Sequence, residues 1–178
     1  MLDARVVGQV DALEPIALTT EAFRHVAAGR HPLSGSGARL HGGRWNPPDS
    51  FATLYLAIER PTAIAEFHRL AVRQRRDPGD FLPRRLYRYQ VTLAAVLDLR
   101  TSESRAAVGL TDTELLSDDP AGCQQVGEAA HYLSLEGIIA ASATGRGTVL
   151  AVFVERLRAD SQVRDLDYDP WATPGAIS

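Results

Sequence analysis

The sequence predicts an α+β domain rather than a regular alternation of strands and helices. Two observations carry that expectation. Alternating apolar runs, above all Tyr87, Tyr89, Val91 and Leu93, dominate the middle and end of the chain. Helical spacing appears in separate blocks set between them, as at Ile64, Phe67 and Ala71. At 178 residues the chain is long enough for one domain with its own core. That domain is expected to span residues 1–178, with its core at about 16–166. The tail over 167–178 carries Pro170, Pro174 and Gly175 and is expected to be loosely held.

Residues 1–14 are weakly patterned. Ile16 to Thr20 and Ala22 to Val26 read as two short strands, with Arg24 on one face. No regular element is expected from Leu33 to Pro48, where glycine frees the backbone and Pro47 pushes Asn46 out of the helical region. Phe51 to Ala57 reads as a strand. Pro61 suits the first turn of a helix running to about Arg76, and Arg73, Arg75 and Arg76 in its last turn suit the dipole. Leu86 to Leu93 and Ala95 to Leu99 follow as two strands. Ser102 to Val108 and Thr111 to Leu116 read as short helices with hydroxyl caps, and Ala121 to Leu133 as a longer one. Gly137 to Ala141 and Thr148 to Glu155 read as buried strands, and Gln162 to Leu166 as an edge strand.

A net charge of -3 argues against a general nucleic-acid binder. The chain has no Lys, so its basic side chains other than His are all Arg, whose planar forks suit anions. With Cys123 alone there is no internal disulfide, which fits a reducing compartment. A leader peptide and a membrane-spanning run are both missing from the pattern, so a soluble cytoplasmic protein is expected. The five His form no zinc-protease pattern, and no metal site is expected. Gly35-Ser36-Gly37 does not link a strand to a helix as a dinucleotide turn would, and Cys123 reads as inert packing.

The remaining chemistry-bearing residues sit at the edges of predicted elements. The segment from Leu33 to Pro48 ends in Arg44, Trp45 and Asn46, and a solvated linker has no use for Trp45. Arg44 can fork onto phosphate oxygens. Arg24, Tyr55, Glu66 and Ser142 complete the set. Taken singly, each also reads as an ordinary surface, rim or turn residue.

Taken together they resemble a known family. Gly43-Arg44-Trp45-Asn46-Pro47, Leu54-Tyr55-Leu56-Ala57, Ala65-Glu66, and Gly137-Ile138-Ile139 leading to Ser142 are similar to the RES domain, over roughly Phe23 to Glu155. The run from Asp118 to Gly127 is similar to the mycobacterial NAD+ phosphorylase branch. One departure is Phe23-Arg24-His25, with His where the family usually has Tyr. The resemblance implies a fold like that of ADP-ribosyltransferase toxins. It implies a toxin held in a larger hetero-oligomer by an antitoxin with an Xre-like helix-turn-helix domain. No direct nucleic-acid or membrane partner is implied. NAD+ would be the substrate, with no prosthetic group. It would be consumed by phosphorolysis with inorganic phosphate, by hydrolysis, or by ADP-ribosylation of a protein. The non-enzyme alternative is a silent module that only grips the antitoxin; retention of Arg24, Arg44, Tyr55 and Glu66 speaks against it.

The implied roles suit the residue types. Glu66 would stabilise oxocarbenium character on the ribose as nicotinamide leaves, with Arg44 and Tyr55 completing the catalytic set. Arg24 and Arg44 would hold pyrophosphate or incoming phosphate. Tyr55 would orient the nicotinamide ring, Ser142 would donate to ribose or phosphate, and Trp45 and Asn46 would line the NAD+ site.

Overall fold

The strands form one sheet in the order β1-β2-β5-β4-β3-β6, and a further β1–β3 pairing closes its first five members into a barrel. The computed structural model describes residues 2–177. The strands are β1 (Ile16–Ala27), β2 (Thr53–Ala57), β3 (Arg84–Leu99), β4 (Gly137–Ala141), β5 (Thr148–Phe153) and β6 (Gln162–Trp171). The helices are α1 (Ala4–Asp11), α2 (Ser36–His41), α3 (Arg60–Arg73), α4 (Ser102–Ala107), α5 (Asp112–Leu116) and α6 (Ala121–Tyr132). The α+β class is as expected. Among the described residues no helix is long and apolar enough to cross a membrane.

β3 organises the sheet. One stretch of it pairs antiparallel with β1 from Ala27↔Arg84 to Ile16↔Val96. β6 runs antiparallel beside it from Arg84↔Trp171 to Thr92↔Gln162, and β4 joins parallel from Val96↔Gly137 to Leu99↔Ala140. β5 bridges β4 and β2, whereas β2 meets β1 at the single pair Phe23↔Ala57. That thin seam is where the barrel wall is weakest.

The alternation of β3 changes phase partway. Tyr87, Tyr89, Val91 and Leu93 point into the barrel core with Leu54, Leu56, Leu150 and Val152. Beyond the step, Val96 faces that core, while Ala95, Leu97 and Leu99 face the helical layer with Val6, Val10, Val126 and Ala130. A bulge accounts for the slip, and the register against β1 shifts at the same level, between Ile16 and Leu18. The two strands expected at Leu86–Leu93 and Ala95–Leu99 are therefore one.

Four other expectations are corrected. Residues 1–14 hold α1, whose Val6 and Val10 are buried at i, i+4 spacing and whose cap is the Asp3 carboxylate accepting from Arg5 N–H. The expected pair Ile16–Thr20 and Ala22–Val26 is the continuous β1. The segment expected to be wholly irregular holds α2, a six-residue helix starting beyond Gly35. The tail is not loose: β6 continues to Trp171, whose indole is fully buried against Phe67 of α3 at 5.4 Å between ring centroids. Pro170 is tolerated because β6 is an edge strand, and its run of charged residues guards that edge.

Candidate active site

A cleft of about 540 Å³ opens between α2, α3, β1 and the segment after β4. Its volume falls in the range of small-molecule sites, roughly 300–1,000 Å³. Arg24, Arg30, Arg44, Arg69, Arg73 and Arg84 line it, and Glu66 is the one carboxylate among its lining residues. A chain of net charge -3 thus concentrates positive charge in its cleft. Such a field attracts a multiply charged anion.

The segment Gly42-Gly43-Arg44-Trp45-Asn46 is locked from beneath. Tyr55 on β2 accepts from Trp45 N–H at 2.8 Å and donates to Asn46 Oδ1 at 2.7 Å. Burial pushes the phenol above its ordinary pKa and keeps it neutral, more than offsetting Trp45 N–H and Arg44. Asn46 is fully buried and donates to Ala38 O at 2.7 Å. Gln124 of α6 donates to Gly43 O at 2.9 Å. Two glycines are required by contact: a Cβ on Gly43 would lie 2.4 Å from the Tyr55 hydroxyl, and one on Gly127 would lie 1.7 Å from Trp45 O. Packing therefore explains Gly43.

This arrangement makes Tyr55 a brace as well as a cleft residue. Tyr55→Phe should strip one partner from Trp45 N–H and one from Asn46 Oδ1, destabilising the fold by about 1–3 kcal/mol. Thermal melting measures it; an unchanged melting temperature would show that the brace carries no stability.

Glu66 lies on α3, and Ser142, just beyond β4, donates to its Oε1 at 2.6 Å. Ser142 is 1 % exposed, and its oxygen also lies 2.8 Å from Thr144 Oγ1 and 3.1 Å from Thr144 N. A hydroxyl so placed fixes the carboxylate and is turned towards Glu66 rather than towards a ligand. The structure thus joins Glu66 and Ser142, which are 76 positions apart in sequence.

Arg24 is directed inward from β1. Its Nη1 donates to Pro32 O at 2.9 Å and its Nη2 to Ser34 O at 3.1 Å, tying down the strand's exit. Burial lowers its pKa, partly countered by Tyr89. Arg44 reaches the other way, donating to Ser117 O at 2.7 Å and Glu114 O at 3.4 Å. Trp45 is 2 % exposed and belongs to the helical core, while also lining the cleft. Of the sequence-derived residues, Arg24, Arg44, Trp45, Tyr55 and Glu66 line the cleft, whereas Asn46 and Ser142 stand behind it.

Four cleft arginines escaped the sequence reading. Arg84 is the clearest. Its Nε donates to His25 Nδ1 at 3.0 Å, and burial, then the charges of Arg24 and Arg30, lower its pKa to about 10. His25 is held neutral, its pKa lowered to about 3 by burial and by Arg84 and Arg24. Mutual repulsion among neighbouring cations is relieved by an anion. The register Ala27↔Arg84, which sets Arg84 beside the end of β1, is a long-range pairing with no local signal. His25, the departure from the usual aromatic, therefore acts as the acceptor that aims Arg84. Among the described residues no group of His, Cys, Asp and Glu could hold a metal ion.

The family model for the RES domain matches residues 21–172. The NAD(+) phosphorylase MbcT of Mycobacterium tuberculosis (strain ATCC 25618 / H37Rv) is 39% identical over 159 residues, covering 88% of this chain and 86% of that protein. The probable NAD(+) phosphorylase Rv3189 of the same organism is 33% identical over 137 residues, 76% of this chain and 65% of that protein. Among solved structures, the M. tuberculosis MbcT–MbcA toxin–antitoxin complex contains a chain that superposes with a TM-score of 0.92. The identity is 35%, over 99% of this chain and 97% of that one.

Proposed function

The chain belongs to the RES domain family, and from that membership we propose that it is the toxin of a toxin–antitoxin pair that degrades NAD+ by phosphorolysis. The products are nicotinamide and ADP-ribose 1″-phosphate. The observation that carries the reading is the composition of the cleft: one carboxylate, Glu66, among arginines. NAD+ combines an anionic pyrophosphate with a ribose that becomes cationic as nicotinamide leaves. Arginines suit the first and a lone carboxylate the second.

Glu66 faces the developing oxocarbenium ion or its ribose hydroxyl, with Ser142 holding the carboxylate in place. Arg24, Arg30 and Arg84 take the pyrophosphate, and Arg44 orders the Trp45 segment along the opposite wall. The Tyr55 ring flanks the nicotinamide while its hydroxyl serves the brace. Asn46 acts through Tyr55 and makes no ligand contact. Nicotinamide leaves as a neutral molecule, so no general acid is needed; the neutral state of His25 agrees with that. No prosthetic group enters the scheme.

A barrel opening on a cationic cleft supports kinship with ADP-ribosyltransferase toxins. The structural likeness to MbcT in complex with MbcA supports an antitoxin partner, for which an Xre-like helix-turn-helix protein in a larger hetero-oligomer is our reading. A cytoplasmic site of action follows from the substrate.

The test is product analysis. With purified protein, added phosphate should accelerate NAD+ loss and shift the product from ADP-ribose to its 1″-phosphate. A rate and product set indifferent to phosphate would replace phosphorolysis by hydrolysis; label from NAD+ appearing on protein would replace it by transfer.

A further inference from the structure

Phosphorolysis needs a second anion site, beside the carbon that loses nicotinamide. Apart from Arg44, the cleft arginines fall into two groups. Arg24, Arg30 and Arg84 interact around His25. Arg69 and Arg73 are on α3 and face the segment between α5 and α6. Arg69 follows Glu66 by three residues and Arg73 by seven, so all three share one face of α3.

Arg69 is incompletely satisfied. Its Nη2 donates to Asp118 Oδ1 at 3.0 Å. Its Nη1 is out of water and has no hydrogen-bond partner among the described residues. Arg73 Nε stands 4.0 Å from the same Asp118 oxygen. The Asp118 side chain is 80% exposed, so these ion pairs, rather than packing, hold it at the arginines. Exposed ion pairs are weak and exchangeable. A phosphate dianion carries more charge and more acceptor oxygens than one carboxylate, and in the place of Asp118 it can engage Arg69 and Arg73 together.

We propose that Arg69 and Arg73 form the binding site for the acceptor, inorganic phosphate, next to Glu66, and that the Asp118 carboxylate occupies this site until phosphate displaces it. The proposal rests on the phosphorolysis reading. A phosphate oxygen donates an electron pair to the ribose anomeric carbon and forms the C–O bond. The C–N bond breaks, and its electron pair neutralises the nicotinamide ring nitrogen. With hydrogen phosphate as the attacking dianion, no proton has to leave.

The experiment measures NAD+ loss against phosphate and against NAD+ in the wild type, Arg69→Gln and Asp118→Asn, with products separated by chromatography. Arg69→Gln should raise the KM for phosphate about tenfold or more, the scale of a lost charged hydrogen bond. The KM for NAD+ should move much less, and the product should shift towards free ADP-ribose. Asp118→Asn should lower the KM for phosphate. Equal rises of both KM values in Arg69→Gln, or an unchanged KM for phosphate, would overturn the site. If that variant does not fold, Asp118→Asn decides: a KM for phosphate that is unchanged or higher sinks the proposal. Phosphate independence of the wild type itself would remove phosphorolysis and this site together, and is read before any variant is made.

Discussion

Glu66→Gln should leave a folded protein that releases nicotinamide at about one-hundredth of the wild-type rate or less, the scale for losing one transition-state electrostatic contact. The substitution keeps the shape and lets Ser142 still donate to the amide oxygen, so the 2.6 Å contact survives. What it removes is the single negative charge among the residues lining the cleft. That charge opposes binding of pyrophosphate and favours a cationic ribose. Losing it therefore lowers kcat while the KM for NAD+ stays level or falls, the pattern of a contact made in the transition state alone. Nicotinamide release at saturating NAD+ measures it, with thermal melting as the control for folding. Turnover near wild type in a folded variant would remove Glu66 from the chemistry.

Local chemistry made part of this site readable in advance. Pro61 and the spacing of Ile64, Phe67 and Ala71 marked α3, and with it the helix that carries Glu66. The resemblance supplied Arg24, Arg44, Tyr55 and Ser142, but it gave roles without geometry. The hydroxyls of Tyr55 and Ser142 turn out to bond protein partners, because buried polar groups must be satisfied and the nearest partners lie across the chain. No local pattern marks Arg69 or Arg84 as cleft residues. Only the folded chain sets one against Asp118 and the other against His25. The same limit applied to the fold. The alternation from Tyr87 to Leu93 declared a strand, yet its change of phase at Ala94 looked like an end rather than a bulge. The short α2 was hidden by Gly35 and Gly37, residues that weaken helices on propensity. β6 beyond Leu166 was hidden by Pro170 and by charge, since an exposed edge strand has no apolar face to announce it.

The bulge has a chemical cause, and it yields a large expected effect on stability. Glu136, fully buried at the entry to β4, places Oε2 at 2.6 Å from Ala94 N and 2.8 Å from Ala95 N. Its Oε1 accepts from Arg158 N at 2.9 Å. Ala94 N and Ala95 N lie where β6 has left the edge of β3, after Thr92, and β4 has not yet joined at Val96. The carboxylate thus fills a gap in the ladder that would otherwise strand buried N–H groups. Burial opposes its ionisation, but the neighbouring Ser161 hydroxyl and the three N–H donors outweigh it and hold the pKa below the ordinary carboxylate value. Glu136→Gln must turn an NH2 group against at least one of these N–H donors. Loss of charged hydrogen bonds and a donor left unmade should cost about 3 kcal/mol. For a chain of this size that lowers the melting temperature by roughly 6–12 °C. The pH dependence has a definite sign. A group whose folded pKa is depressed stabilises fully above its unfolded pKa, about 4.3, and loses that contribution as pH falls through the folded value. The gap between wild type and Glu136→Gln should therefore be widest near neutrality and narrow below about pH 4. Denaturant unfolding of both proteins across that range checks it. A gap that stays constant with pH would mean that shape, rather than the charge on Glu136, closes the break in the ladder.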